Sequence, residues 1–499
     1  MHVPILGRFN YRDYQALLVG IILLFLEKLL RLVTYALPAF ILQFFQGQSQ
    51  KLFFMRYNEM RTPPAKTMQC AKSFREMVEY WGYTLEEHVV MTRDNYILGI
   101  HRIPEGKYST CYTQNNNINK INHNNYDRAR DHIESIFDEC GISHSVIRNK
   151  SYSSGQSTTI KPVVILYHGL MMCSDVWMCN LEQERRLACI LVDAGYDVWF
   201  GNARGNKYSM KHLKHKPDSR RFWEYSMDEF ALYDLPDSID YILEITKAPS
   251  LTYIGFSQGT AQAFAALSIN PNLNKKVNLF IALAPATSPR GLQNPIVDAF
   301  IKASPNIVYL FFGRKAFLTM TMFWQKVLFP PIFTKILDHC MKFLFGWTGN
   351  NMTEEQKAVS YYHLYNFTSV KSLVHWFQII RANKFQMYDE LPPYSSSTSM
   401  GHCCLKFPTE QIKTPIAIFY GGSDSLVNID VLLKQLPKPV FVKEVLPYEH
   451  LDFLWASDVH KQVFPELFDL LHKYNNHDDY EEDDDDDKKQ LIFKKKYIY

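Results

Sequence analysis

The pentapeptide Gly255-Phe256-Ser257-Gln258-Gly259 sets a hydroxyl between two glycines, directly after an apolar strand-like run and directly before a stretch of small residues, 260–267. A turn this tight from strand to helix needs small flanking residues, and Gly255 and Gly259 supply them, leaving Ser257 exposed at the turn. A serine hydroxyl is a weak nucleophile until a base takes its proton. A carboxylate and an imidazole follow in the order such a triad requires: Asp424 in Gly421-Gly422-Ser423-Asp424, and His450 in Tyr448-Glu449-His450-Leu451-Asp452. Asp452 is a rival for the orienting carboxylate; Asp424 is preferred because it ends a strand-like run of its own. Attack of Ser257 on a carbonyl would place negative charge on the former carbonyl oxygen, which preorganised backbone N–H groups must meet. The expected donors are Gln258, next to the nucleophile, and Leu170 in His168-Gly169-Leu170-Met171. His168 is expected to orient that loop instead of acting as a base. Arg204, in the glycine-punctuated loop Asn202-Ala203-Arg204-Gly205-Asn206, is expected to be structural, with Asp228 or Asp234 as its partner.

Six short apolar runs, 162–167, 197–200, 250–254, 279–283, 416–420 and 440–445, alternate with helix-like stretches. That alternation predicts a parallel α/β sheet. Residues 83–104 alternate apolar and polar types and predict a strand or hairpin. The block 291–391 breaks the pattern with helically spaced Phe, Trp, Lys and Leu, so a helical insertion over the sheet is expected, whose apolar excess serves either core or a lid facing lipid. The Asn- and Ser-rich stretch 107–160 reads as a disordered insertion, and the acidic-then-basic segment 476–499 as a solvated tail. The organisation is thus an N-terminal segment 1–60, the start of a catalytic domain at 61–106, the insertion 107–160, core segments 161–290 and 401–475, a helical cap at 291–400, and the tail.

The 499 residues are 47% apolar and 21% charged, enough to bury one large core or two ordinary ones. A net charge of +3 leaves no global basic field, so nucleic acid is not expected as a partner. Nine cysteines without a Cys-x-x-Cys pair indicate neither a zinc site nor a disulfide framework. No metal or organic cofactor is implied. Near the N-terminus, the apolar run 16–26 is followed by Glu27, Lys28 and Arg31 and a second apolar arm, 32–45. Charges in mid-span are costly, about 2.5–3.5 kcal/mol each on insertion scales. A monotopic or hairpin anchor, with the charged face at the lipid surface and an arm on either side, therefore fits better than a full span.

The segments His168 to Met171, Gly201 to Asn206, Phe222-Trp223-Glu224-Tyr225-Ser226-Met227-Asp228-Glu229, Asp234-Leu235-Pro236, the Ser257 elbow and Tyr448 to Phe453 together resemble the acid lipases. That family of α/β-hydrolases includes gastric and lysosomal acid lipases, and the likeness runs over about residues 61–474. The opening Leu6-Gly7-Arg8 before an apolar segment, and Lys371-Ser372-Leu373-Val374-His375-Trp376-Phe377-Gln378, are similar to the membrane-anchored sterol esterases of yeast lipid droplets. The resemblance implies a steryl ester hydrolase with Ser257, Asp424 and His450 as its triad, working on a neutral lipid ester at a lipid-droplet or endoplasmic-reticulum membrane. A triacylglycerol lipase is the alternative within enzymes; a catalytically silent lipid-binding protein is the alternative outside them. The chain departs from secreted relatives in that Cys340 has no evident cap partner, and the sequons at Asn149, Asn351 and Asn366 are expected to be unused.

Overall fold

A computed structural model describes residues 10–38, 40, 41, 43, 44, 47, 48, 62–107, 123–143, 160–289, 294–317, 319–390 and 404–475. The strands are β1 (Glu86–Met91), β2 (Tyr96–Ile103), β3 (Val163–Tyr167), β4 (Asp197–Gly201), β5 (Lys211–His212), β6 (Leu251–Phe256), β7 (Val277–Leu283), β8 (Ala316–Phe317), β9 (Thr368–Ser369), β10 (Ile416–Gly421) and β11 (Phe441–Val445). All but β8 and β9 form one sheet in the order β1-β2-β4-β3-β6-β7-β10-β11, with β5 on β2. The pairs from β4 to β11 are parallel, and the β1–β2 hairpin joins antiparallel at one edge. Strand β3 is buried along its whole length. Its Val164 and Leu166 enter one apolar layer with Val198, Phe200 and Ile254; Val163, Ile165 and Tyr167 enter the other with Trp199 and Tyr253. Burial on both faces is why the parallel strands read as continuous apolar runs, whereas the edge hairpin alternates.

The helices that matter here are α1 (Tyr11–Ala36), α2 (His123–Cys140), α3 (Gln258–Ile269), α4 (Pro295–Lys302), α5 (Pro305–Phe312), α6 (Thr319–Val327), α7 (Pro330–Phe345), α8 (Glu354–Leu364), α9 (Val370–Ala382) and α10 (Phe464–Asn475). Helices α4 to α9 make up the insertion between β7 and β10. Their ends are written locally: the side chains of Asn294, Ser304, Thr353 and Ser369 cap α4, α5, α8 and α9, and Gly346, at φ +77, closes α7. The short β8–β9 pair adds strand structure to a block expected to be helical.

Two expectations change. The stretch 107–160 is not wholly without structure: α2 lies within it, and Phe137 and Cys140 are buried, Phe137 meeting Phe468 of α10 edge-on. The rest of that stretch, Asn149, and the tail 476–499 lie outside the described residues. At the N-terminus, α1 continues through Glu27, Lys28 and Arg31 without a break, so the charged patch does not divide two arms. Asp13, Leu17, Gly20, Leu24, Glu27, Arg31 and Thr34 are among its less exposed positions and recur every three or four residues, forming one stripe. That stripe meets the insertion. A Cβ at Gly20 would lie 2.7 Å from Ile296, so only glycine allows α1 this close to α4. Asp13 pairs with Lys302 at 3.1 Å, and Glu27 accepts a hydrogen bond from the Trp324 indole at 3.1 Å. Glu27 and Arg31 therefore lie on the stripe turned towards the insertion, whereas Lys28 of the same charged patch is exposed. Among the described residues no helix is long and apolar enough to cross a membrane.

Candidate active site

Register brings the expected residues to one edge of the sheet. Gly255 is paired with Tyr167 on one side and Ala282 on the other, and Gly421 with Val445, so the segments after β3, β6, β10 and β11 emerge at the same end. Ser257 lies in that turn at φ +53, a left-handed value that only a tightly held elbow maintains in a residue with a side chain. The glycines are required by close approach. A Cβ at Gly259 would stand 2.6 Å from the Tyr167 carbonyl oxygen, and one at Gly255 would stand 2.8 Å from the Gly259 backbone. Gly421 answers to the same constraint, since a Cβ there would meet the Tyr448 carbonyl oxygen at 2.2 Å. The two loops that carry Asp424 and His450 thus lie backbone against backbone, joined by the Ser423 N–H donating to the Tyr448 carbonyl at 3.1 Å.

His450 Nε2 is 2.7 Å from Ser257 Oγ and its Nδ1 is 2.6 Å from Asp424 Oδ2, with all three residues buried. Asp424 is steadied by the Leu426 N–H, which donates to its Oδ1 at 2.9 Å. This continuous path from hydroxyl to imidazole to carboxylate can move a proton off the serine as the serine attacks. Asp452, the rival, does not touch the imidazole. It accepts hydrogen bonds from the Glu449 N–H at 2.6 Å and from Asn351 Nδ2 at 2.8 Å. Burial pushes its carboxyl up to about 6.

The loop after β3 lies directly on the nucleophile: a Cβ at Gly169 would be 3.1 Å from Ser257 Cβ. His168 Nδ1 donates to the Gly169 carbonyl at 2.8 Å, and its Nε2 accepts from the Ala203 N–H at 3.1 Å. Burial pushes His168 down to about 4, so it is neutral at pH 7 and fixes the loop. The Leu170 and Gln258 N–H groups make no hydrogen bond within the described residues, leaving both free to meet an incoming oxygen.

Arg204 is fully buried between carboxylates, its Nε 2.8 Å from Asp234 and its Nη2 3.0 Å from Asp94. Of the two expected partners it is Asp234 that holds Arg204, joined by Asp94, whereas Asp228 accepts the Tyr388 N–H at 2.9 Å. Asp175 accepts from Tyr208 at 2.8 Å and pairs with Lys207, with His363 of α8 3.5 Å away. Burial opposes its charge, yet His363 and Lys207 hold it well below the usual carboxylate range. This network ties the segment after β3 to the insertion.

The insertion reaches the site through residues that sequence reasoning did not assign to it. Trp347, just after α7, stacks on the His450 ring with centroids 5.2 Å apart and planes 10° from parallel. Trp376 of α9 donates to Gln258 Oε1 at 2.8 Å. Glu449, beside the imidazole, accepts from the Thr348 and Gly349 N–H groups at 2.7 and 2.8 Å. Asn351 spans to the Pro447 carbonyl at 2.8 Å as well as to Asp452. Nothing in the sequence around Trp347 marks it, because it and His450 are about a hundred residues apart. None of the described cysteines, Cys340 included, forms a disulfide.

Residues 162–457 match the model of the alpha/beta hydrolase fold, and residues 74–181 match the partial alpha/beta-hydrolase lipase region. A probable lipase of Schizosaccharomyces pombe is 41% identical over 93% of this chain and 92% of its own length. Gastric triacylglycerol lipase of Rattus norvegicus is 35% identical over 79% of this chain and 90% of its own, and human lipase member K 33% over 80% and 90%.

Proposed function

The chain belongs to the acid lipase family of α/β-hydrolases and is a carboxylic ester hydrolase, and on that premise we propose that it cleaves steryl esters to free sterol and fatty acid at a lipid surface. The hydrogen-bonded path Ser257–His450–Asp424 carries the chemistry. Ser257 Oγ attacks the ester carbonyl while His450 Nε2 takes its proton, and the carbonyl oxygen turns to the Leu170 and Gln258 N–H groups. His450 then protonates the departing sterol oxygen, leaving an acyl-serine. Water, deprotonated by His450, attacks that ester; the acyl–Oγ bond breaks, His450 returns the proton to Ser257 Oγ, and the fatty acid is released. Asp424 holds the imidazole in the required tautomer throughout.

The sterol assignment is supported by the 371–378 segment of α9, which resembles sterol esterases and places Trp376 against Gln258. Attachment to a lipid-droplet or endoplasmic-reticulum surface is supported by the outer side of α1, where Leu18, Phe25, Leu29 and Leu32 are about half exposed or more. Such a helix lies along a surface. The second reading, a triacylglycerol lipase, is favoured by relatives that carry that name. Hydrolysis of cholesteryl oleate and of triolein in the same detergent micelles by wild type and Ser257→Ala separates the two. Preferred sterol ester cleavage, lost in the variant, supports the proposal. A preference for triolein overturns the sterol assignment, and an active Ser257→Ala protein overturns the mechanism.

A further inference from the structure

The segment 211–221, Lys-His-Leu-Lys-His-Lys-Pro-Asp-Ser-Arg-Arg, carries five cations against one carboxylate in a chain whose overall charge is nearly balanced. Its shape is held from within. The Lys214 and His215 N–H groups both donate to His212 Nδ1, at 2.9 and 3.1 Å, the His212 and His215 rings stack at 4.6 Å, and the Trp223 indole donates to the Pro217 carbonyl at 2.7 Å. The cations are turned outward. Arg220 pairs with Glu224, whereas Lys211, Lys214, Lys216 and Arg221 are exposed and have no carboxylate partner among the described residues, and Leu213 stands 58% exposed in their midst.

The fold puts this segment at the end of the sheet where Ser257 lies. Strand β2 runs antiparallel to β4, with His101 opposite Phe200; Tyr96 and Ile97, which pair with His212 and Lys211, therefore extend past the carboxyl end of β4. Lys315, just before β8, donates to the Asp218 carbonyl and fastens the segment to the insertion. On that insertion α1 rests, since Leu17 shares an apolar cluster with α4, α5 and α9.

We propose that the segment 211–221 is a second lipid-contacting element, which binds the headgroups of anionic phospholipids while the outer face of α1 enters the apolar layer. The proposal rests on the reading that the protein works at a lipid surface, and it adds the charge of that surface. One apolar element gives marginal, reversible attachment, and a cluster of cations is the standard second contribution. Each Lys or Arg close to an anionic leaflet strengthens binding about fivefold, so four unpaired cations acting additively contribute about 600-fold.

The test is co-sedimentation of the full chain with phosphatidylcholine vesicles and with vesicles that also contain phosphatidylserine, at low and high salt. The variant combines Lys211→Gln, Lys214→Gln, Lys216→Gln and Arg221→Gln, and its hydrolysis of a soluble short-chain ester reports that it is folded. Wild type is expected to bind the anionic vesicles about 600-fold more tightly than the neutral ones, with the preference lost in high salt and in the variant. A wild type without that preference, or a variant that keeps it, overturns the proposal. Loss of binding to neutral vesicles alone counts against α1 as the anchor and leaves the cationic element standing; binding to neither vesicle overturns both.

Discussion

Two carboxylates flank the loop that carries His450, and their replacement by asparagine should have opposite consequences. Asp424 Oδ2 is 2.6 Å from His450 Nδ1, so Asp424→Asn removes the charge that stabilises the imidazolium and misdirects its tautomer. The expected loss in kcat is about 10⁴-fold. Asp452 touches the Glu449 N–H and Asn351 but not the imidazole. Burial pushes it up to about 6, against about 3.9 in an unfolded chain. The folded protein therefore binds that proton more tightly than the unfolded chain. The resulting stabilisation is complete at pH values below about 3.9 and is lost as pH rises through about 6. Two pKa units correspond to about 3 kcal/mol, the ceiling on what ionised Asp452 costs at neutral pH. An asparagine side chain at this position would keep both accepted hydrogen bonds through its amide oxygen without the buried charge. Asp452→Asn is thus expected to retain most esterase activity and to be more stable than wild type near neutral pH by up to about 3 kcal/mol, the difference closing towards about pH 4. Rates on a soluble short-chain ester and urea unfolding across that pH range provide the readout. Equal losses of activity in the two variants would refute the division of roles, and an Asp452→Asn protein less stable than wild type at neutral pH would refute the burial argument.

Arg204→Met leaves Asp234 buried without its guanidinium and should destabilise the protein by about 3–5 kcal/mol; adding Asp234→Leu should recover much of that in urea unfolding, because the stranded charge is then gone. Gly259→Ala forces a methyl to 2.6 and 2.8 Å from the Tyr167 and His168 carbonyl oxygens, which cannot swing aside as side chains do. A stability loss of about 1–3 kcal/mol with displacement of the 168–170 loop is expected, and unchanged kcat would count against that loop's role. Trp347→Leu removes the ring stacked on His450 and should lower kcat about two- to tenfold, with Trp347→Phe recovering part of it. Mass spectrometry should find Asn366 unglycosylated in the folded protein, since it is buried and its side-chain oxygen accepts the Lys207 N–H at 2.8 Å.

Much of the site was legible because its signals are local. The Ser257 elbow announces itself within five residues, the strand runs owe their apolar continuity to burial on both faces, and the order Ser257, Asp424, His450 is a property of the chain. The glycines were legible as small residues, although contact with the Tyr167 and Tyr448 carbonyls, and not a turn conformation alone, is what forbids a side chain at Gly259 and Gly421. The interior of 107–160 misled because α2 has low overall hydrophobicity, although Ile133, Ile136, Phe137 and Cys140 recur at helical spacing and pack into the core.

What the sequence by itself determined, then, is the nucleophile, the partner types and their order, and the parallel sheet, since each follows from residue type and short-range periodicity. Only the tertiary structure decided which carboxylate faces His450, that Asp94 and not Asp228 shares Arg204 with Asp234, that Trp347 covers the imidazole, and that the charged stripe of α1 is its docking side. Those are contacts between residues tens to hundreds of positions apart, and a side chain's type says that it needs a partner without saying which distant one the fold will bring.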